Sequence, residues 1–169
     1  MRPREHVILG SAVSIGLYLL LGREAIYNVI YFWVASILID LDHYIDYIYN
    51  NKFTDFSFKR MLEYHTFLFK NRFNPAFINL SIFHTVESMF ALGAVALYTG
   101  SAPIIFVWWA FLFHIICDTI NLIIDGSTSI RSNSIIGYFF RVKKLRLKGL
   151  DTKAVYTGAV NEVKQSYGN

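Results

Sequence analysis

Cysteine is almost missing from this chain: Cys117 is the single one. That excludes an intramolecular disulfide framework and any CxxC metal pattern. There is no internal repeat and no low-complexity linker, so one domain is the default reading of 169 residues. Met1–Glu5 carries two arginines ahead of an apolar run, as a signal peptide would, but no A-x-A cleavage site follows. The run is therefore expected to be a retained first helix. Basic residues, too, are missing from part of the chain, as the span pattern below shows. What is abundant is apolar surface: 54% hydrophobic residues, 17% aromatic, mean hydropathy +0.39. A soluble domain of this size is rarely so apolar, and the membrane class leads.

Four segments read as spans: Val7–Leu21, Ala25–Ile39, Ala76–Leu97 and Ala102–Ile124. In lipid a segment must satisfy its own backbone groups, so each is expected to be helical. The first two fall short of the ~20 residues of a full span, and are expected to extend through His6 and through the Asp40–Asn50 region. Pro75 opens the third, and Pro103 sits in the first turn of the fourth, where a missing N–H does no harm. Gly10 and Ser14 offer a small-residue face for close packing. Between spans two and three, Thr54–Arg72 mixes phenylalanines with basic residues and suits a helix lying in the interface. The expected fold is thus all-α: an integral membrane four-helix bundle over residues 1–125, an interfacial amphipathic helix, and a basic cytoplasmic tail over 126–169. Within that tail Asp151–Gln165 is expected to form a last amphipathic helix.

Orientation follows from lysine and arginine. Of 16 such residues, only Arg23 falls in a loop on the far side of a four-span arrangement. Both termini are expected to be cytoplasmic. The run Arg141–Lys148 beside a membrane points to anionic headgroups as partners rather than to nucleic acid.

Against this background eight ionisable residues stand out: His6, Asp40, Asp42, His43, His84, Glu87, His114 and Asp118. A charge at a bilayer centre costs at least ~2.5–3.5 kcal/mol on insertion scales, so such residues face a bundle interior or a cavity. Counting ~1.5 Å per residue from the span ends puts His6, Asp40, Asp42, His43, His84, His114 and Asp118 in the same membrane half. His114 and Asp118 are four apart, His84 and Glu87 three apart, and Asp40 and His43 three apart, so each pair shares a helix face. Asp42 shares no face with Asp40 in a straight helix and needs a break there or a second role. Bundles build metal sites in this way, from ligand pairs on facing helices. Mixed imidazole and carboxylate ligands favour zinc, manganese or iron over calcium or magnesium.

Plainer readings accompany each residue. His114 and Asp118 also suit an interhelical hydrogen bond, Asp40, Asp42 and His43 a wet helix end, and His84 and Glu87 a packed polar pair. His6 alone reads as interfacial, Cys117 as packing, and Asp46 and His65 lie in wetter segments.

The order His6-x-x-x-Gly10, Asp40-Leu-Asp-His43, Phe83-His-Thr and His114-x-x-x-Asp118 resembles the YdjM-type membrane-bound metal-dependent hydrolases, a DUF457-like group. That family shows an H-x-x-x-G opening, a P-D-I-D-H run, an H-R-G-x-T-H-S segment and a late S-H-x-x-x-D run. The likeness covers residues 6–121. Ile39 stands where the family has proline, and no H-R-G precedes His84. The resemblance implies a hydrolase similar to zinc-dependent phospholipase C-like enzymes.

The expectation is therefore a divalent metal, zinc first, held by His6, Asp40, Asp42, His43, His84, His114 and Asp118. Asp42 and Glu87 are the candidates for orienting or deprotonating water. A site at this depth, beside a basic and aromatic segment, suits an amphiphilic phosphoester such as a phospholipid or lipid-linked phosphate, and an oligomer is compatible with it. Two other classes stay open: a non-catalytic membrane module with a structural metal or hydrogen-bonded polar core, and a metal or proton transporter.

Overall fold

Apolar stretches become helices here, with Pro3 and Pro103 confined to first turns, and polar side chains that compete for the backbone end them. The computed structural model describes residues 3–168; Arg2, counted above among the basic residues, lies outside them. Helix α1 runs over Pro3–Leu21, α2 over Ile26–Leu38, α3 over Leu41–Asn50, α4 over Phe58–Lys70, α5 over Val86–Thr99, α6 over Ala102–Ile124, α7 over Ile135–Leu147 and α8 over Thr152–Ser166. Among the described residues no strand forms; one isolated bridge joins Asn79 and Arg131.

Three helical stretches are long and apolar enough to cross a membrane: Arg4–Leu21, Arg23–Asn50 and Ala102–Ile124. The expected span Ala76–Leu97 does not form as one helix. Its helical part, α5, has 14 residues, about 21 Å of rise against a hydrocarbon core of about 30 Å. The reason is polar competition. Asn74 Oδ1 accepts from Ala76 N at 2.9 Å, and Asn79 Nδ2 donates to Ser81 Oγ at 3.1 Å. Asn79 N then donates to Ile130 O, and Ser132 N to Asn79 O. Residues 74–81 thus find hydrogen-bond partners outside a helix, and Ile78 is buried by protein. Asparagine and serine favour such local bonds over helical ones.

The chain groups into two compact units. The first comprises residues 1–40 and 83–128, and holds α1, α2, α5 and α6. There α2 packs on α1 and α6, and α5 on α6. Phe32, Ala35 and Ala110 form its buried apolar centre, with Val13, Leu17 and Phe106 against them. Gly10 lets α1 approach α2: a Cβ there would lie 2.5 Å from Ser36 Oγ. Gly100, with φ +59°, closes α5 in the left-handed conformation that glycine adopts most easily, and α6 starts two residues on.

The second unit comprises residues 41–82 and 129–169, and holds α3, α4, α7 and α8. This unit joins the segment after Thr128 to residues 41–82. The expected helix within Thr54–Arg72 is α4, capped by Ser57 and packed on α8 and α3. The expected final amphipathic helix is α8, capped by Asp151 and burying Tyr156, Ala159, Val160 and Val163. Between α3 and α4, Asp55 accepts hydrogen bonds from Tyr47 Oη, Ser57 N and Arg60 Nη1. Burial works to raise its carboxyl, but these three donors outweigh it and hold Asp55 below its ordinary value.

Candidate metal centre

Each helix of the first unit brings ionisable groups to one end. His6 lies in the opening turns of α1, and Asp40 follows the last turn of α2. His84 closes a short 3-10 turn over Ile82–His84 just ahead of α5, while His114 and Asp118 lie one turn apart near the end of α6.

Their donor atoms converge. His6 Nε2 is 3.1 Å from Asp118 Oδ1 and 4.0 Å from Asp40 Oδ2. His114 Nε2 is 3.3 Å from Asp40 Oδ1 and 3.9 Å from Asp118 Oδ2. The rings of His6 and His114 stack, with centroids 3.8 Å apart and planes within 9°. One donor atom from each of His6, Asp40, His114 and Asp118 falls within 4.8 Å of all the others. His84 stands beside this group, its Nε2 3.6 Å from Asp40 and 3.7 Å from Asp118.

These separations suit a small divalent cation. Tetrahedral bonds of ~2.0–2.1 Å set the donors of such an ion about 3.3–3.4 Å apart. Taking either oxygen of each carboxylate, the imidazole–carboxylate distances run from 3.1 to 4.0 Å and bracket that value. His114 Nε2 is buried and makes no hydrogen bond of good geometry, although a carboxylate lies close. Its other ring nitrogen, Nδ1, lies 2.7 Å from the carbonyl oxygen of Ser36. A metal-binding histidine is typically held in this way, one nitrogen on a carbonyl and the other turned to the ion. The residues present therefore fit a divalent metal.

Exposure differs within the group. His6, His84, His114 and Asp118 are all buried, whereas the Asp40 side chain is 24% exposed. Access to the cluster is therefore at Asp40. A centre closed on all sides would leave no position for a substrate; one with an accessible edge does.

Five of the expected site residues thus meet in one unit: His6, Asp40, His84, His114 and Asp118. Glu87 sits half-buried in the first turn of α5, and is not among the donors gathered within 4.8 Å. It does not share a helix face with His84, because Thr85 caps α5 between them. Asp42 and His43 belong to α3 in the second unit, Asp42 Oδ1 lying 3.6 Å from His43 Nδ1. The chain turns at Ile39–Asp40, between α2 and α3. His65 Nε2 contacts the His43 carbonyl at 2.8 Å, and Asp46 accepts from Tyr64 Oη and Asn50 Nδ2. Both act as hydrogen-bonding groups within the second unit. Ser36 was not singled out by sequence; its signal was a small polar residue on an apolar helix, able to meet the small face at Gly10.

No protein-family model, curated protein or solved structure matches this chain.

Proposed function

We propose that this protein is a membrane-embedded, metal-dependent hydrolase of an amphiphilic phosphoester. The observation that carries the reading is the buried convergence of His6, Asp40, His114 and Asp118, with donors within 4.8 Å of one another, in helices apolar enough for a membrane. Buried ionisable groups in such helices are costly, and they persist where they bind or react.

His6, Asp40, His114 and Asp118 would hold the ion, zinc first, with manganese or iron as the other candidates. A divalent cation there supplies Lewis-acid polarisation of a phosphoryl oxygen and activation of water. The Ser36 carbonyl fixes the His114 tautomer with its proton on Nδ1, leaving the Nε2 lone pair for the ion. The His84 imidazole faces both carboxylates and can hold a proton at Nε2 beside them. Asp40, the accessible donor, marks the side from which substrate arrives. Glu87, in the same unit as the cluster, remains a candidate for orienting water.

The substrate class follows from the surroundings. The same helices carry an apolar cleft of about 430 Å³ lined by Val13, Leu17, Phe32, Phe106, Trp109 and Phe113. It lies further along α1 and α6 from His6 and Asp118, where the acyl chain of a lipid would run if its phosphate reached the metal. With 15 of 16 basic residues on one face, both termini are assigned to the cytoplasm; α5 then need only cross from the level of His84 to the far surface. The likeness to YdjM-type hydrolases agrees with this reading.

A structural metal is the second reading, favoured by the burial of every ligand but Asp40. The discriminating experiment is turnover. Zinc-loaded protein should release phosphate or phosphoryl headgroup from a lipid phosphoester panel, and an Asp118→Asn variant should not. A loaded protein that leaves the whole panel intact contradicts the hydrolase and leaves the structural role.

A further inference from the structure

A second cluster of charge lies in the other unit. Arg72 follows α4, while Arg141, Lys144 and Lys148 line one face of α7 at spacings of three and four. All four border one cavity of about 340 Å³, and no aspartate or glutamate borders it. That volume is at the lower end of the ~300–1,000 Å³ typical of ligand sites. Among the described residues none of the four makes a salt bridge, whereas Arg60 of the same unit pairs with Asp55.

Helix ends account for part of this arrangement. Cations near a helix C-terminus complement its dipole, and Arg72 Nη1 bonds the Phe69 carbonyl at the end of α4. Two features go further. Like charges one helical turn apart repel, so the α7 face is unfavourable unless an anion joins it. Arg72 is also held in place: its guanidinium stacks on Phe69 and Phe73 at 4.3 and 4.7 Å, and its buried Nε has no hydrogen-bond partner. Arg141 is anchored by the carbonyls of Arg131 and Ser129, which fixes its guanidinium at the rim. Two guanidinium groups are thus positioned in advance, and two flexible ammonium groups can close on whatever enters.

We propose that this cavity binds a phosphomonoester anion. A phosphate presents up to two charges and three acceptor oxygens, and pairs with arginine forks in a way that a lone carboxylate does not. Phe73, Phe77 and Leu145 supply an apolar wall beside the cations, suited to a phosphate carried on a lipid headgroup. The site is independent of the metal centre, sharing no residue with it.

Phosphorus NMR on the full-length protein in detergent tests this, with inorganic phosphate in one arm and phosphatidic acid in phosphatidylcholine micelles in the other. Saturable broadening is expected, weakened at least ~10-fold in Arg72→Gln and in the Lys144→Gln/Lys148→Gln pair, as the loss of charge-assisted hydrogen bonds implies. A Lys153→Gln/Lys164→Gln pair, exposed on α8 and outside the cavity, should bind as wild type does. Binding in both arms means that the phosphate group suffices; binding of phosphatidic acid alone assigns a lipid headgroup, and either supports the site. If Arg72→Gln fails to fold, the exposed lysine pair decides. Equal weakening by the α8 pair would reduce the effect to diffuse charge and overturn the proposal, as would no binding in either arm.

Discussion

His114 and Ser36 meet across two helices: the Nδ1 of the histidine lies 2.7 Å from the carbonyl oxygen of the serine. Ser36 is in turn the group against which Gly10 of α1 packs. One small residue therefore sets both the approach of α1 to α2 and the orientation of an imidazole in the cluster. Packing and ligand geometry are coupled at this point.

That coupling can be tested at Gly10. A methyl group there would lie 2.5 Å from Ser36 Oγ, and overpacking of this kind costs about 1–3 kcal/mol. Gly10→Ala should lower the Tm in detergent and weaken metal retention against a chelator by roughly 10–100-fold, as loss of an orienting contact does. Gly16→Ala, with nothing within 4 Å of the added methyl, should do neither. Equal behaviour of the two variants would remove the coupling.

The exposed edge at Asp40 makes a second prediction. Cobalt(II) loaded into the cluster should give visible absorption bands that shift when phosphate is added, because a coordination position is reachable from that side. A spectrum indifferent to phosphate and other small anions would mark a closed, structural centre.

Residues 74–81 supply a third. Tyr156 Oη donates to the Ile78 carbonyl at 2.5 Å, and both residues are buried. Tyr156→Phe should destabilise the protein by about 1–3 kcal/mol, the cost of leaving a buried carbonyl unsatisfied. A neutral substitution would mean that this segment is not held in the second unit as described.

The α3–α4 loop gives a pH dependence. Asp55 is held below its ordinary value in the folded chain by its three donors. Its contribution to stability is therefore present above the ordinary carboxylate range and is lost as pH falls through the lowered folded value. Asp55→Asn should reduce stability at neutral pH and flatten the acid limb of a Tm-against-pH curve. An unchanged acid limb would contradict the assignment.

Much of this was legible in the sequence, and the reasons differ by element. Helix α6 matches its expected bounds, Ala102–Ile124, because Gly100-Ser101 and Asp125-Gly126 punctuate it, and the Thr119 hydroxyl inside it bonds the Ile115 carbonyl one turn back without ending the helix. The i,i+4 spacing of His114 and Asp118 placed both on one face, as found. The span over Ala76–Leu97 misled because hydropathy counts Phe77 and Ile78 as lipid-facing, whereas Tyr156 and the pairing with residues 130–132 bury them in protein. Those partners lie some 50 to 78 positions away along the chain, and local pattern carries no trace of them. The same error put His84 on a helix face with Glu87, when it precedes the Thr85 cap. Ser36 escaped notice because its contribution is a backbone carbonyl, which every residue has.

A single metal held between α1, the turn after α2, and α6 is tested most directly by metal content. Elemental mass spectrometry on detergent-purified protein should find about one zinc, manganese or iron per chain, the tetrahedral fit above requiring one ion for four donors. The metal should be lost in both Asp118→Ala and His114→Ala, and kept in Asp46→Asn, whose carboxylate serves Tyr64 and Asn50 instead. Wild-type protein that stays metal-free after repletion, or metal retained in both cluster variants, would contradict the account.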